Sequence, residues 1–572
     1  MSYKKLFEQW NNVNEMEAVW KDDLKLLAND EKRQEDAFYR DLEFGTGGMR
    51  GEIGAGTNRI NNYTVRKATT GLVEYIKVAG TEAMNRGVVI AYDSRRFSPE
   101  FAKEAARTLA AGGVKAYVYT EPRTTPQLSF SVRELNAYMG IVITASHNPP
   151  EYNGYKVYGQ DGAQLNLLDA DSVIEYVKKA GDALSIKNDE VNEELIVYLD
   201  ESIDASYIDA LKTVQENSTL AQKTDLKVVF TPLHGASGET VQRILSEAGY
   251  QHIFYVNEQM EPNGEFPTVV SPNPEEKSAF EYAIQYGEKH GADLLIAVDP
   301  DGDRVGAAVK ADSGYKLLTG NQTGAILIEY LLMMRKEKGT MPANGRVFKT
   351  IVTSDLGRVI AEYYGASTED VLTGFKFIGE KIKNYEETKE FEFLFGYEES
   401  YGYLVKDFAR DKDAVQSVLV LVEAAAYYKQ QGLTLVDVLN NLYERHGYYL
   451  EGLVSVTKKG VSGAKAIANL LEQIRVNPIK EIAGIEVLSQ EDYLSSIRTF
   501  TDGREQEQIL LPSSNVLKYF LADGSWVCVR PSGTEPKVKY YFGVISESAE
   551  ESKQKLETIK ESFSSNLNQY LE

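Results

Sequence analysis

One pattern occurs three times along this chain, and it fixes the fold class before composition is considered. Val88-Val89-Ile90-Ala91-Tyr92 reads as an apolar strand, a polar turn runs to Ser98-Pro99, a helix starts at about Glu100, and Gly112-Gly113 stops it ahead of a second strand at 116–119. Residues 227–230, the Gly/Ser-rich turn 233–238, a helix with Val241, Ile244, Leu245 and Ala248 on one face, Gly249 and the strand 253–256 repeat the unit. A weaker third copy begins at 346–352, with its helix at 355–364 and its stop at Gly365. Each unit is βαβ, so the expectation is three related α/β domains with mixed, mostly parallel sheets. From about Tyr448 the order changes to a strand (453–456), a helix (464–475), a loop-rich stretch, strands at 516–521, 525–529 and 537–544, and a final helix. A smaller α+β domain with an antiparallel sheet is expected there. The expected boundaries are 1–205, with a helical extension before residue 40, then 206–318, 319–447 and 448–572.

Composition limits the partners. With 62 Lys and Arg against 85 Asp and Glu the formal charge is -23, and no basic stripe interrupts it, so nucleic acid is excluded as a partner. The one cysteine, Cys528, lies in an apolar run, which rules out a disulfide framework and suits a reducing compartment. The longest apolar segments, 326–334 and 418–428, each contain a glutamate (Glu329, Glu423) and fall short of the roughly 20 residues a membrane crossing needs. The N-terminus turns acidic where a secretory signal would be apolar. A cytoplasmic protein without membrane contact, monomeric or weakly dimeric, is expected.

The sharpest chemical signal is Asp299-Pro300-Asp301-Gly302-Asp303-Arg304, directly after the apolar run 294–298. Three carboxylates at alternate positions of a tight turn at a strand's carboxyl end converge on one point, which calls for a hard divalent cation. All-oxygen ligation without nearby His or Cys favours magnesium over zinc, and the bidentate glutamate of an EF-hand loop is missing. A second strand, 141–143, empties into Thr144-Ala145-Ser146-His147-Asn148-Pro149-Pro150. Ser146 is there a candidate phosphoryl acceptor or nucleophile. His147 is either its base or an orienting group, and turn formation alone explains many such serines. Phe44-Gly45-Thr46-Gly47-Gly48-Met49-Arg50 and Arg530-Pro531-Ser532-Gly533-Thr534-Glu535-Pro536 are turns whose amides, hydroxyls and arginines fit a phosphate. Neither is a P-loop. Glu398-Glu399-Ser400, set among aromatics, offers carboxylates for vicinal hydroxyls. Together these features describe phosphoryl transfer on a phosphosugar.

Four of these motifs, in this order and one per expected domain, resemble the signatures of the α-D-phosphohexomutase family, nearest its bacterial phosphoglucomutase branch. The resemblance implies four domains around a central cleft and interconversion of glucose 1-phosphate and glucose 6-phosphate, with mannose phosphates or another phosphosugar as the alternative. It implies a phosphoserine at Ser146, magnesium on Asp299, Asp301 and Asp303 with a phosphoserine oxygen, and glucose 1,6-bisphosphate as intermediate and activator. Lys156 resembles the family's proposed general base and Arg50 its partner, although an arginine gives up a proton so reluctantly that only electrostatic help is expected from it. Arg304 lies near the transferred group. Glu398, Ser400 and Lys376 are implied sugar contacts, and Arg530, Ser532, Gly533 and Thr534 implied contacts to the phosphate that is not being transferred. A metal-dependent phosphatase and a silent phosphosugar-binding protein are the rival readings.

Overall fold

A computed structural model describes residues 2–45, 47–458, 460–532 and 537–568. Among these the chain forms four sheets in succession. In the first, the strands Val88–Tyr92, Ala116–Val118, Met139–Ile143 and Ile196–Tyr198 run parallel, and Tyr152–Tyr158 and Gly48–Glu52 continue one edge antiparallel. The second places Leu294–Val298 beside Val228–Thr231 and Ile253–Tyr255 in parallel, then adds Val305–Ala311 and Gly314–Leu317 antiparallel. The third joins Ser367–Val371, Gly345–Thr350 and Glu392–Glu398 in parallel and closes with antiparallel Gly402–Leu404. The fourth is antiparallel throughout, from Tyr448–Thr457 to Lys537–Ser546 and across Trp526–Pro531 and Leu517–Leu521. The expected fold class is therefore present: three related α/β units and a smaller α+β unit.

One expectation fails. The stretch read as loop-rich holds the strands Glu481–Ile482, Ile485–Asp492, Ile497–Phe500 and Glu507–Gln508. The period-2 signal is hidden because the inward face of Ile485–Asp492 carries Ser489 and Glu491 as well as Val487. Glu491 is tolerated there because Tyr493 and Arg498 both donate to it.

The two long apolar segments are helices enclosed between the second and third sheets. Gly320–Lys338 and Ala414–Gln430 share one continuous core with Phe230, Ile296, Val347 and Phe395. A helix buried on all sides needs no polar face, which is why neither segment shows amphipathic spacing. Their glutamates are matched: Arg445 donates to Glu329, and Tyr330 and the amides of Glu216 and Asn217 donate to Glu423.

The carboxyl ends of these sheets meet. Thr125 N donates to Asp301 O at 2.8 Å, Ala414 N to Gly302 O at 3.1 Å, and Val305 N to Tyr401 O at 3.0 Å. The C-terminal sheet joins the third unit through Lys518, whose Nζ donates to Ile351 O at 2.7 Å. Gly320 makes the helix start and the 398–401 turn fit together: a Cβ there would lie 2.1 Å from Glu399 O and 2.8 Å from Tyr401 N. Both obstacles are backbone, so Gly320→Ala should destabilise the protein by about 1–3 kcal/mol. A fall in urea midpoint checks this, and an unchanged midpoint would show that the turn yields freely.

Candidate active site

Asp299 follows Leu294–Val298, and its Oδ1 accepts from the amides of Asp303 (3.0 Å) and Arg304 (2.9 Å), which winds the turn around its own first carboxylate. Gly302 takes φ +69°, and any Cβ would strike Thr124. The three aspartates offer oxygens that all lie within 4.8 Å of one another, and all three are buried. Asp301 Oδ2 is held by Thr125 Oγ1 (2.9 Å) and Lys156 Nζ (2.8 Å). Asp301 Oδ1 and Asp303 Oδ1 are buried without a hydrogen-bond partner among the described residues. Two orphaned carboxylate oxygens in one cluster are the positions a divalent cation would fill, so the donor set fits a hard metal ion. Burial and the neighbouring Asp301 and Asp303 push Asp299 well above the ordinary carboxylate range. Burial also opposes charge on Asp301, yet the Lys156 ammonium outweighs it and holds that carboxyl low.

Ser146 stands at the lip of this cluster. Its Oγ donates to Asp299 Oδ2 at 2.6 Å and lies 3.2 Å from His147 Nδ1. Ser146 Oγ thus lies between a carboxylate oxygen and an imidazole nitrogen whose tautomer decides which of the two donates. Burial, with Arg304 and Arg50 adding repulsion, holds His147 well below its usual range. Burial thus favours the neutral ring beside Ser146.

Positive charge surrounds the carboxylates. Lys156 comes from Tyr152–Tyr158 and also approaches Asp303 at 3.7 Å. Burial opposes its charge, but Asp301 and Asp303 outweigh burial and raise it above the ordinary lysine value. Arg304 pairs with Glu275 at 2.5 Å and reaches Asp303 at 3.8 Å. Arg50, on Gly48–Glu52, donates to Asn148 Oδ1 at 3.0 Å and so touches the Ser146 loop.

The sugar-type loop lies opposite. Glu398 ends its strand, buried, with Oε1 accepting from Gly374 N at 2.9 Å. Burial pushes its carboxyl up to about 7, against the pull of Lys412. Ser400 is half-buried in the following turn. Arg530 is on Trp526–Pro531, paired in register with Lys539, and Ser532 N donates to Lys537 O at 2.7 Å. Gly533 and Thr534 lie outside the described residues. Lys376 begins Phe375–Thr388 and lines a different space, a cavity of about 270 Å³ with Gln164, Asn166 and Asp169, where its charged neighbours are Glu380 and Asp171.

Sequence reasoning missed Lys412. Its Nζ lies 3.1 Å from Asp303 and 2.9 Å from Asp411, facing Glu398 across the cleft. The available signal was Arg410-Asp411-Lys412-Asp413, four charges abutting an apolar helix, all of them buried or nearly so.

Four family models match the chain consecutively: phosphoglucomutase/phosphomannomutase alpha/beta/alpha domain I over 41–183, domain II over 205–314, domain III over 319–446, and the C-terminal domain over 471–560. The chain belongs to the phosphoglucomutase/phosphomannomutase family. A phosphoglucomutase of Staphylococcus haemolyticus is 39% identical over 516 residues, 89% of this chain and 92% of the relative. The fold matches a family member from Burkholderia thailandensis (TM-score 0.66, 19% identity, 92% of this chain and 97% of that one). It also matches parafusin, a phosphoglucomutase of Paramecium (TM-score 0.67, 16% identity, 93% and 96%). Among the described residues no helix is long and apolar enough to cross a membrane.

Two outcomes follow from this geometry. A divalent cation should raise the unfolding temperature of the wild type and leave that of Asp301→Asn unmoved; equal shifts would place the ion elsewhere. Glu398, raised in the folded state, binds a proton that the unfolded chain has released between its ordinary value and about 7, so its contribution to stability is lost as pH rises through that window. Glu398→Gln should thus gain on the wild type by about 1–3 kcal/mol between pH ~5 and ~8, read from denaturant midpoints. A constant difference would mean that Glu398 titrates as an ordinary exposed acid.

Proposed function

We propose that this enzyme interconverts glucose 1-phosphate and glucose 6-phosphate by way of a phosphoryl group carried on Ser146. The observation that carries the reading is the Ser146 hydroxyl, held 2.6 Å from Asp299 on the edge of a buried carboxylate cluster that itself fits a metal ion. The domain division 1–205, 206–318, 319–447 and 448–572 is part of this reading, since it gives each segment one loop at the cleft.

Phosphoserine would be attacked by the 6-hydroxyl of bound glucose 1-phosphate; the new O6–P bond forms as the Oγ–P bond breaks, giving glucose 1,6-bisphosphate. After the intermediate turns over in the cleft, its 1-phosphoryl group returns to Ser146 and glucose 6-phosphate leaves. Magnesium on Asp299, Asp301 and Asp303 would supply charge to offset that of the phosphoryl oxygens during transfer. His147 orients the serine oxygen. Arg304, beside Asp303, and Lys412, between Asp303 and Glu398, add fixed positive charge along the path from donor to sugar.

Lys156 is assigned the proton of the attacking hydroxyl, and Arg50 supports it electrostatically. For Lys156 to act as a base, its ammonium must first lose the proton that Asp301 and Asp303 stabilise here. Glu398 and Ser400 grip hydroxyls at C3 and C4, which glucose and mannose share, so glucose is preferred only modestly. Arg530 and Ser532, with Gly533 and Thr534, bind the distal phosphate, and Lys376, which lines a separate cavity, is given no part in this reading.

Ser146→Ala should lower turnover by on the order of 10³-fold or more, and peptide mapping of the active wild type should locate one phosphoryl group on Ser146. Chelation should abolish activity and magnesium restore it. A fully active Ser146→Ala, or a phosphate mapped to another residue, would sink the proposal.

A further inference from the structure

Behind the Ser146 loop lies an arginine that no part of this reading uses. Arg95 is 1% exposed, and its guanidinium donates to four backbone carbonyls of one loop: Nη1 to Pro149 O (2.9 Å) and Tyr152 O (3.0 Å), and Nη2 to Ser146 O (2.5 Å) and Asn148 O. Asp93, at the carboxyl end of Val88–Tyr92, aims it, accepting from Arg95 N at 3.0 Å and facing Nε at 3.4 Å. Asp93 also accepts from Thr144 Oγ1 at 2.6 Å, and that hydroxyl accepts from Ser146 N at 2.8 Å. Both the amide and the carbonyl of Ser146 are thereby tied to a single ion pair. Phe266 closes the far side, its ring 5.1 Å from the guanidinium, and Gly264 packs so closely that a Cβ would lie 2.5 Å from Arg96 N.

The arrangement solves a problem specific to this site. Ser146 sits at φ +54°, a conformation a non-glycine residue adopts only when its surroundings impose it. A loop so wound exposes carbonyl oxygens, and carbonyl dipoles facing a phosphoryl dianion would repel it. In a trans peptide the C=O and N–H point in opposite directions, so turning the Ser146 carbonyl onto Arg95 directs the His147 N–H away from it.

Resting on the phosphoserine reading above, we propose that Arg95 is a positioning residue for phosphoryl transfer: it gathers the carbonyls of the Ser146 loop behind the site, and so holds the Ser146 oxygen on the aspartate cluster. A planar guanidinium reaches four acceptors at once; an ammonium has three donors and no plane.

The test begins with wild-type enzyme, whose Ser146 is mapped for phosphate. If none is found in active enzyme, the functional reading fails and this proposal falls with it. With phosphate present, Arg95→Lys and Arg95→Ala are compared with Arg96→Gln, which breaks only an exposed pair with Glu265. Arg95→Lys should lose about 10²-fold in kcat and in the rate of Ser146 phosphorylation by glucose 1,6-bisphosphate, with KM within about threefold of wild type. Guanidinium ion at millimolar concentration should restore part of the kcat of Arg95→Ala and do nothing for Ser146→Ala. Should the Arg95 variants fail to fold, Asp93→Asn carries the same comparison and should show the same split between kcat and KM. Phosphorylated variants that turn over within about threefold of wild type, a loss confined to KM, or a folded Arg95→Ala blind to guanidinium would each overturn the proposal.

Discussion

Three buried carboxylates whose oxygens lie within 4.8 Å of one another are costly to hold together, and the rest of the site is arranged around that cost. No single segment supplies the compensation. Lys156 comes from the first sheet, Lys412 from the segment before the helix Ala414–Gln430, and Arg304 from the turn itself, and together they approach the cluster within 2.8–3.8 Å. Thr125, at the start of the helix Thr125–Glu134, and Ser146, from its loop, add hydroxyl donors. Charge balance here therefore requires the tertiary fold, since no local stretch of chain could provide it. The same demand leaves two carboxylate oxygens without a hydrogen-bond partner among the described residues.

Much of this was legible in the sequence because it is local. The alternate aspartates of 299–303, the strand before them and the glycine that winds the turn all lie within ten residues, and the βαβ repeats declare themselves through runs such as Val88–Tyr92 that are buried on both faces. What was not legible depends on distant pairing. Lys412 is 109 positions from its partner Asp303, and Arg95 stands some fifty residues from the carbonyls it gathers. The strand Ile485–Asp492 escaped for another reason: buried Ser489 and Glu491 replace the apolar residues that mark a strand's inner face.

His147 shows how little adjacency in sequence fixes a role. A serine followed by a histidine invites a nucleophile and its base, yet Ser146 Oγ lies closer to Asp299 Oδ2 (2.6 Å) than to His147 Nδ1 (3.2 Å). Burial among arginines favours the neutral ring. The pairing that governs Ser146 comes from residue 299, on a different sheet.

The bond from Val305 N to Tyr401 O joins the strand leaving the metal turn to the turn carrying Ser400, and Ala414 N fastens the same metal turn to the helix behind Lys412. The aspartate turn and the Glu398 turn are thus two points on one frame, and the C-terminal sheet meets that frame through Lys518 and through a shared apolar cluster of Ile351, Val352 and Leu372 with Val516, Trp526 and Tyr541. Under the phosphoserine reading, the span from phosphorus to sugar ring is therefore set by backbone bonds between these turns and not by side-chain rotamers.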